Sequence, residues 1–337
     1  MLLIGNGKKY VWGDSMVKRP EVSIICCTYN HEHSIRDTLN SFLAQKTNFP
    51  VEILIHDDAS TDNTVSIINE YAMNYPQIIK PIFQKENQHS KGIDIQQINY
   101  ERSRGKYIAI CDGDSFWIDE YKLQRQYDYL EKAKNCVLSV HAGKVVDADG
   151  KGVEMISASK MSRFYVTSEL IKGDSGLFVK NSMFFRAHVV KNRPPLFMNL
   201  PVKLEDHSLV LYLSLFGQVH FMRDVMSCSL VGTPDYWTAT NGASDETENF
   251  QEIGDWFLHF DEWTSYTFHD VIEAKLQANH FVTKEMDFKK KDAMSLQTVE
   301  SMPLKRKVVE LVERFVPQLA VMLKRKRWLY QLLYRRH

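Results

Sequence analysis

The chain has 337 residues, and its 42 Lys and Arg balance its 42 Asp and Glu, so its formal net charge is zero. That balance gives no global electrostatic reason to expect a nucleic-acid partner. No apolar run approaches the ~18 residues of a membrane-spanning helix, and five cysteines without small-domain spacing favour a reduced cytoplasmic protein.

Short apolar runs alternate with helical spacing in the first part of the chain. Runs rich in β-branched residues predict buried strands, and apolar residues three and four apart predict the helices between them. Strands are predicted at 22–27, 51–55, 78–83, 107–111 and 137–146, and helices at 33–45, after a cap at Asp62, at 93–103 and at 121–132. This alternation predicts an α/β fold with a parallel sheet that has helices on both faces.

The rest of the chain is less regular. Residues 151–172 form a weakly patterned connection. A strand is predicted at 183–185, a helix at 207–216, a strand at 219–222 and mostly helical, aromatic-rich structure at 247–284.

Polar or acidic segments follow three of the predicted strands, at 28–30, 57–58 and 112–114. Parallel sheets bind ligands at the carboxyl ends of their strands. We therefore expect the three segments to share one crevice, and this convergence indicates an active site.

The turn Asp112-Gly113-Asp114 suits a divalent metal ion. Carboxylates are hard oxygen ligands of the kind that Mg²⁺ and Mn²⁺ prefer, and the glycine lets the backbone approach a ligand closely. A metal ion here would stabilise a departing diphosphate. A plain surface turn is the alternative, but the buried strand before the turn and Phe116-Trp117 after it favour a metal site.

Two other acidic segments have both a functional and a structural interpretation. Asp57 or Asp58 could accept a hydrogen bond from a base or a ribose, or the two could be solvated surface acids. Asp206, between Glu205 and His207 before an apolar helix, could be a general base for an acceptor hydroxyl or a helix cap. The residues alone leave both choices open.

Other motifs carry little weight. The run His31-Glu32-His33 fits a polar loop at the start of a helix better than a metal site. No Cys-x-x-Cys pair indicates zinc, and no phosphate-binding P-loop signature is present in the sequence.

Four segments, in chain order, resemble glycosyltransferase family 2, the inverting transferases with a GT-A fold. The opening strand, nucleotide loop and helix of that family are matched by VSIICCTYNHEHSIRDTLNSFLAQ, and its Asp-Asp-Gly-Ser-Thr-Asp element by EILIHDDASTDNT. A bacterial surface-polysaccharide subgroup, with Glu-Gly-Asp-Asp-Tyr-Trp and Gly-Asp-Trp segments, is matched by ICDGDSFWIDEYKLQRQYDYLE and EDHSLVLYLSLFGQVHFMRDVMSCSLVGTPDYW. The resemblance runs from Glu21 to Trp237.

The resemblance implies a GT-A, Rossmann-like nucleotide-sugar-binding sheet with an acceptor-side extension and a helical C-terminal region. We expect an N-terminal extension at 1–20, a GT-A catalytic domain at 21–240 and the helical region at 241–337. The implied roles are a nucleotide pocket of Thr28, Tyr29, Asn30, Asp57, Asp58, Asp112 and Gly113, metal ligands Asp114 and Asp112, the catalytic base Asp206, and acceptor-side residues Ser182, Arg186, Glu205, His207 and Trp237.

Three positions depart from the family pattern. Ala59 stands where glycine is usual, which stiffens that loop. Ser115 replaces the second aspartate of the acidic turn, so metal binding would weaken if that position supplied the ligand. His207 replaces a tryptophan, so the acceptor pocket is expected to differ.

The function implied is a metal-dependent inverting glycosyltransferase with Mn²⁺ or Mg²⁺. It would move a hexosyl or N-acetylhexosaminyl group from a nucleoside diphosphate, by resemblance UDP, to a hydroxyl of a polysaccharide or lipid-linked glycan. Two alternatives stay open. A nucleotidyltransferase would need a basic, glycine-rich loop after the first strand, and a non-catalytic sugar-binding module would share the fold without the reaction.

The segment from Leu304 to the C-terminus holds ten Lys and Arg but two acids. Five apolar residues between Val308 and Leu323 are spaced as a helical stripe, and the basic run KRKRW follows at 324–328. This pattern predicts that the segment contacts the anionic surface on the inner face of a membrane. A packing or oligomerisation helix is an equal alternative.

Overall fold

The computed structural model of the protein describes residues 19–147, 154–173, 176–198, 200, 202–231 and 246–278. In this part of the chain the strands are β1 Val22–Thr28, β2 Val51–Asp57, β3 Ile79–Phe83, β4 Tyr107–Ile110, β5 Ser115–Trp117, β6 Cys136–Asp147, β7 Glu154–Ile156, β8 Arg163–Tyr165, β9 Phe184–Arg186 and β10 Gln218–Val231. The helices are α1 Ile35–Leu43, α2 Thr64–Asn74, α3 Ile95–Arg102, α4 Lys122–Lys132, α5 Thr167–Lys172, α6 Ala187–Val190, α7 Val202–Ser214, α8 Glu246–Trp263 and α9 His269–Ala278.

The strands form one mixed sheet in the order β3-β2-β1-β4-β9-β6-β10-β5, with β7 added beside β6 and β8 beside β10. The four strands β1 to β4 are parallel to one another. In contrast, β9 runs antiparallel to both of its neighbours, β4 and β6, and β5 runs antiparallel to β10. The α/β class is confirmed, but a wholly parallel sheet is wrong, because β9 enters between β4 and β6 in the opposite direction.

The middle of the parallel part is β1, which lies between β2 and β4. All seven of its residues are buried, which explains why it appears in the sequence as a continuous apolar run. Apolar residues of α1, α2 and α4 pack into the same core, and each fully buried Ile, Leu or Phe contributes roughly 1.5–3 kcal/mol. They include Ile35, Leu39, Phe42, Ile67, Ile68, Leu123 and Leu130.

Several boundaries differ from the sequence-based expectation. The connection at 151–172 contains β7, β8 and α5, and the short strand β5 was not predicted. The strand expected at 219–222 is the fourteen-residue β10, which pairs with β6 along its length and with β5 near its end. The helical stretch at 247–284 is two helices, and its last residues lie outside the described part.

The helix expected at 207–216 begins at Val202, so Glu205 and Asp206 lie within α7 rather than before it. The physical reason is that Leu204 is buried, which extends the apolar face of the helix toward its amino end. The prediction that Glu205 and Asp206 precede the helix is therefore wrong.

The chain forms two compact units that alternate along the sequence. The first comprises residues 1–164, 176–193 and 217–241, and the second comprises 165–175, 194–216 and 242–337. Among the helices in the described part of the chain, none combines the length and the apolar character that a membrane span requires. Trp237 and the predicted basic tail lie outside the described residues.

Aromatic side chains form the core of the second unit. The rings of Phe197 and Tyr212 have centroids 4.7 Å apart, and those of Trp256 and Phe260 stack at 5.2 Å. The indole N–H of Trp256 also donates a hydrogen bond of 2.8 Å to Leu196 O. The aromatic residues of the predicted helical stretch therefore serve packing.

A buried lysine lies at the start of α4 in the first unit. Lys122 is fully buried, and its Nζ lies 4.1 Å from the centre of the Trp117 ring. Within the described part of the chain, this Nζ has no hydrogen-bond partner, and neither does Oε1 of Gln126 one turn along. Burial lowers the pKa of Lys122 to about 7, because a charged ammonium is poorly hydrated there.

Replacing this lysine should stabilise the fold in a pH-dependent way. Between pH 7 and the ordinary lysine value of 10.5, the unfolded chain holds a proton that the folded protein lacks, so the penalty of Lys122 decreases as the pH rises. We expect Lys122→Met to raise the free energy of unfolding by roughly 1–3 kcal/mol at pH 6. The gain should be less than half as large at pH 9, measured by urea denaturation.

The matched control is Lys132→Met, at the exposed end of the same helix. Its effect should stay within about 0.5 kcal/mol at both pH values. An equal gain at pH 6 and pH 9 for Lys122→Met would show that the buried amine is not the cause.

Candidate functional site

The loop after β1 and the loop after β2 are joined by hydrogen bonds in the first unit. Asn30 N donates to Ser60 Oγ at 2.9 Å, and His31 N donates to Thr64 Oγ1 at 2.8 Å. Asn30 has a φ of +56°, and its side-chain oxygen accepts a bond of 2.8 Å from Thr61 N. The loop that carries Asn30 is therefore fixed by the loop that follows β2.

Asp62 connects the same two loops. Its carboxylate accepts hydrogen bonds from Thr64 N at 2.9 Å and from Glu32 N at 3.0 Å. The residue at the N-cap position of α2 is Asn63, whose side chain makes no capping bond. The predicted capping acid thus acts one residue before the cap position.

The acidic turn packs directly on β1 and the loop that follows it. Gly113 N donates to Cys27 O at 3.0 Å, and Gly113 O accepts hydrogen bonds from Ser34 Oγ at 2.8 Å and Thr38 Oγ1 at 3.0 Å. A methyl group on Gly113 would lie 2.6 Å from His31 Nδ1. The glycine is required because no side chain fits this contact.

The two acids after β2 are buried and hold loops in place. Asp57 accepts hydrogen bonds from Ser60 N at 3.0 Å and Ser60 Oγ at 2.5 Å. Asp58, which is 1% exposed, accepts from Gln88 N at 2.8 Å and His89 N at 3.0 Å. Asp57 and Asp58 are therefore not solvated surface acids, which was the alternative interpretation of this segment.

The two carboxyl groups titrate differently. Burial raises the pKa of Asp57, and its hydrogen bonds to Ser60 only partly offset this effect. Burial also acts on Asp58, but the nearby His56 ring, with Nε2 3.6 Å from Asp58 Oδ1, and the hydrogen bonds from the His89 and Gln88 backbone outweigh it and lower the pKa. Asp58 is therefore a stable anion that shapes the loop after β3.

The structure also brings in Lys180, a residue that the sequence interpretation missed. Its Nζ lies 2.7 Å from Asp112 Oδ2, and the other oxygen of Asp112 accepts a 3.3 Å hydrogen bond from Cys27 N. Lys180 belongs to the short 3₁₀ helix Lys180–Ser182 immediately before β9. Nothing in the local sequence indicates this pairing, because it depends on the insertion of β9 beside β4.

Asp114 is the partly buried acid at the end of the turn. Its Oδ1 accepts a 3.0 Å hydrogen bond from Ser115 Oγ, and its carbonyl accepts a 3.2 Å bond from Leu230 N. Burial raises the pKa of Asp114; the nearby charge of His31 opposes this effect, and that of Asp112 adds to it. Asp114 and Asp112 are therefore close enough to influence each other electrostatically.

The two carboxylates of the acidic turn fit a metal ion that also binds phosphate groups of the substrate. In the described residues, no group of three or more His, Cys, Asp or Glu could hold a metal ion. Mg²⁺ and similar ions, however, are commonly held by one or two carboxylates together with substrate phosphates and water. The acidic turn offers two carboxylates of this kind, so it fits a metal ion whose remaining ligands come from a bound diphosphate and water.

The predicted acceptor-side residues have mixed positions. Ser182 is fully buried, and its hydroxyl donates to Val179 O at 2.6 Å. Arg186 pairs in register with Tyr107, the first residue of β4, and donates to Leu130 O at 2.7 Å. It therefore lies at the opposite end of β4 from the acidic turn, and geometry adds nothing to its predicted role.

The remaining candidates belong to the second unit or lie outside the described residues. Asp206 and Glu205 are partly buried on α7. His207 is buried, with Nε2 2.9 Å from Leu170 O, so its ring helps to join α7 to α5. The structure does not describe Trp237. The roles of these residues stay predictions.

A comparison with protein families decides the classification. The family model described as Glycosyl transferase family 2 matches residues 23–191. The chain belongs to glycosyl transferase family 2. The predicted family is thereby confirmed, and the matched segment includes both the strand-end loops and the acidic turn.

Curated relatives match over part of their length. An uncharacterised protein of Mycobacterium tuberculosis is 42% identical over 131 residues, which are 38% of this chain and 37% of that protein. A protein of Escherichia coli, named UDP-Glc:alpha-D-GlcNAc-diphosphoundecaprenol beta-1,3-glucosyltransferase, is 35% identical over 114 residues, which are 34% of this chain and 42% of that protein. The matches to these two relatives cover less than half of their lengths.

Solved structures confirm the predicted GT-A fold. The crystal structure of S. aureus TarS 1–349 in complex with UDP-GlcNAc has a TM-score of 0.56 and covers 92% of this chain and 86% of that one. Its sequence identity is 16%, so this likeness concerns the fold alone.

The backbone explains why glycine is usual at position 59. Ala59 has a φ of +66°, in the left-handed region where a Cβ atom is unfavourable. The residue stands between Asp58 and Ser60, whose hydrogen bonds fix this conformation. The chain accepts local strain here to place the loop after β2.

Ala59→Gly should therefore stabilise the protein. We expect the free energy of unfolding in urea to rise by about 0.5–1 kcal/mol, after the larger backbone entropy of glycine in the unfolded chain is subtracted. The control is Ala72→Gly within α2, which should instead lose about 1 kcal/mol. A loss at both positions would contradict the strained geometry at Ala59.

Proposed function

We propose that this protein is a metal-dependent inverting glycosyltransferase that moves a sugar from a nucleoside diphosphate, UDP, to a hydroxyl of a polysaccharide or lipid-linked glycan. The observation that carries the proposal is the meeting of three strand-end segments in the first unit. Asp58 N bonds to Thr28 O at 2.9 Å, and Gly113 N bonds to Cys27 O at 3.0 Å. Ligands of such sheets bind at the ends of these strands, and family membership supports the reaction class.

The comparisons support the choice of donor and acceptor. The name of the E. coli relative specifies a UDP-sugar donor and a diphosphoundecaprenol-linked acceptor. TarS, which shares the fold, was crystallised with UDP-GlcNAc. A lipid-linked acceptor would place the reaction at the cytoplasmic face of a membrane, where the basic C-terminal tail would assist contact.

The acidic turn would hold the metal ion. Asp114, with Asp112 beside it, would bind Mn²⁺ or Mg²⁺, and the bound ion would offset the negative charge of the donor diphosphate. Thr28, Tyr29 and Asn30 would line the nucleotide pocket. The buried Asp57 and Asp58 would support that pocket near the base and ribose.

Asp206 would act as the general base. As its carboxylate removes the proton from the acceptor hydroxyl, the acceptor oxygen forms a bond to the anomeric carbon. The bond from that carbon to the diphosphate oxygen breaks on the opposite side, and the diphosphate leaves with the electron pair. A single displacement of this kind inverts the anomeric configuration. Ser182, Arg186, Glu205, His207 and Trp237 are the proposed acceptor-side residues.

Asp206→Asn should separate binding from catalysis. The variant should lose about 10²–10⁴-fold in the rate of sugar transfer, because an amide cannot accept the proton. Donor affinity, measured by calorimetry, should change less than about twofold, because the base contacts the acceptor rather than the nucleotide.

Asp270→Asn is the matched control, since Asp270 is an exposed aspartate in the first turn of α9 in the same unit. It should transfer sugar at the wild-type rate. Full activity of Asp206→Asn would rule out the proposed base.

Removal of the metal ion should have a distinct signature. We expect UDP with Mn²⁺ to raise the melting temperature of the wild type by a few degrees, because a ligand that binds only the folded state stabilises it. Chelation with EDTA should remove most of that shift, and Asp114→Asn should reproduce the EDTA result. A shift that is insensitive to both changes would contradict metal-dependent donor binding.

A further inference from the structure

Lys180 is placed where it can do more than balance one acid. Its ammonium contacts Asp112 at 2.7 Å, and both side chains are partly exposed, at 26% for Lys180 and 20% for Asp112. The ammonium is therefore paired with one acid of the turn and is accessible to a ligand that approaches the turn from solvent.

The backbone that carries Lys180 is held firmly. The next residue, Asn181, is buried; its side chain bonds to Ser227 Oγ at 2.6 Å and Ser229 Oγ at 2.9 Å. Its carbonyl accepts a 2.9 Å hydrogen bond from Trp117 Nε1. The fixed backbone limits where the Lys180 side chain can reach, and the ion pair with Asp112 holds its ammonium at the acidic turn.

Charge balance at the acidic turn calls for such a cation. The phosphates of a nucleotide sugar are anionic, and they would approach the like charges of Asp112 and Asp114. A divalent ion offsets part of this repulsion, and an ammonium group adds a further positive charge beside the phosphates. The charge on the diphosphate increases as the sugar leaves, so the same cation would favour the leaving group.

We infer that Lys180 is a binding residue for the donor diphosphate, held in position by Asp112 until the donor enters. This inference rests on the proposed function and adds to it a group outside the acidic turn that recognises the phosphates. Lys180 would contribute even without the metal ion, because its charge belongs to the chain itself.

The simpler alternative is that Lys180 only neutralises Asp112. The two interpretations differ when Asp112 loses its charge. If Lys180 binds phosphate, its removal still weakens binding in an Asp112→Asn background. If it only neutralises Asp112, its removal has no further effect there.

The test measures UDP and uridine binding by calorimetry, in EDTA and in Mn²⁺. Lys180→Met should weaken UDP binding by about 10–100-fold in EDTA, the value of a lost hydrogen bond to a charged group. Uridine, which lacks phosphates, should bind with an affinity within about twofold of wild type. Lys180→Arg, which keeps the charge, should restore most of the UDP affinity.

The matched control is Lys106→Met, which removes a half-exposed lysine paired with Glu131 near the amino end of β4. It should leave both affinities unchanged. The double variant Asp112→Asn/Lys180→Met is compared with the single variant Asp112→Asn. Both lack the Asp112 carboxylate, so neither leaves an unpaired acid that would impair folding. The double variant should still lose at least about tenfold in UDP affinity.

The possible results distinguish a failure of the inference about Lys180 from a failure of the proposed function. Equal UDP affinity for Asp112→Asn and the double variant would overturn the inference alone. A wild type that binds neither uridine nor UDP would overturn the proposed function, and the inference with it. A loss of uridine affinity equal to the loss of UDP affinity would show that Lys180 shapes the pocket rather than binding phosphate.

Discussion

The contact between Gly113 and the end of β1 is the constraint on which the site depends. The glycine backbone bonds to Cys27 O and to the hydroxyls of Ser34 and Thr38, and no room remains for a side chain. Because β1 is buried along its whole length, this contact anchors the acidic turn to a strand in the core of the sheet. The two carboxylates of the turn are thus positioned by the core.

Charge is distributed unevenly around this anchor. The carboxylates of Asp57 and Asp58 accept hydrogen bonds that hold neighbouring loops in place. Ala59, the next residue, has the strained left-handed backbone. The acidic turn is different, since its Asp112 is paired with Lys180 across a partly exposed contact. Exposed charges can exchange partners, whereas buried ones cannot do so cheaply. The acidic turn is therefore where a diphosphate would be received.

Much of this arrangement could be predicted from local pattern. The strands β1, β2 and β4 are short, mainly apolar runs, and the polar segments after them meet because their parent strands are parallel neighbours. The contribution of Lys180 could not be predicted, because it reaches the turn only through β9, which pairs between β4 and β6. Likewise, α7 starts at Val202 because burial of Leu204 extends its apolar face, and helix propensity alone does not show that burial.

By itself, the sequence determined the α/β class, the family and the acidic turn, because periodicity and short motifs are properties of neighbouring residues. Tertiary structure alone decided the direction of β9 and the pairing of Asp112 with Lys180. Those features arise from contacts between residues far apart in the chain, and their energies depend on burial and strand order, which no local pattern encodes.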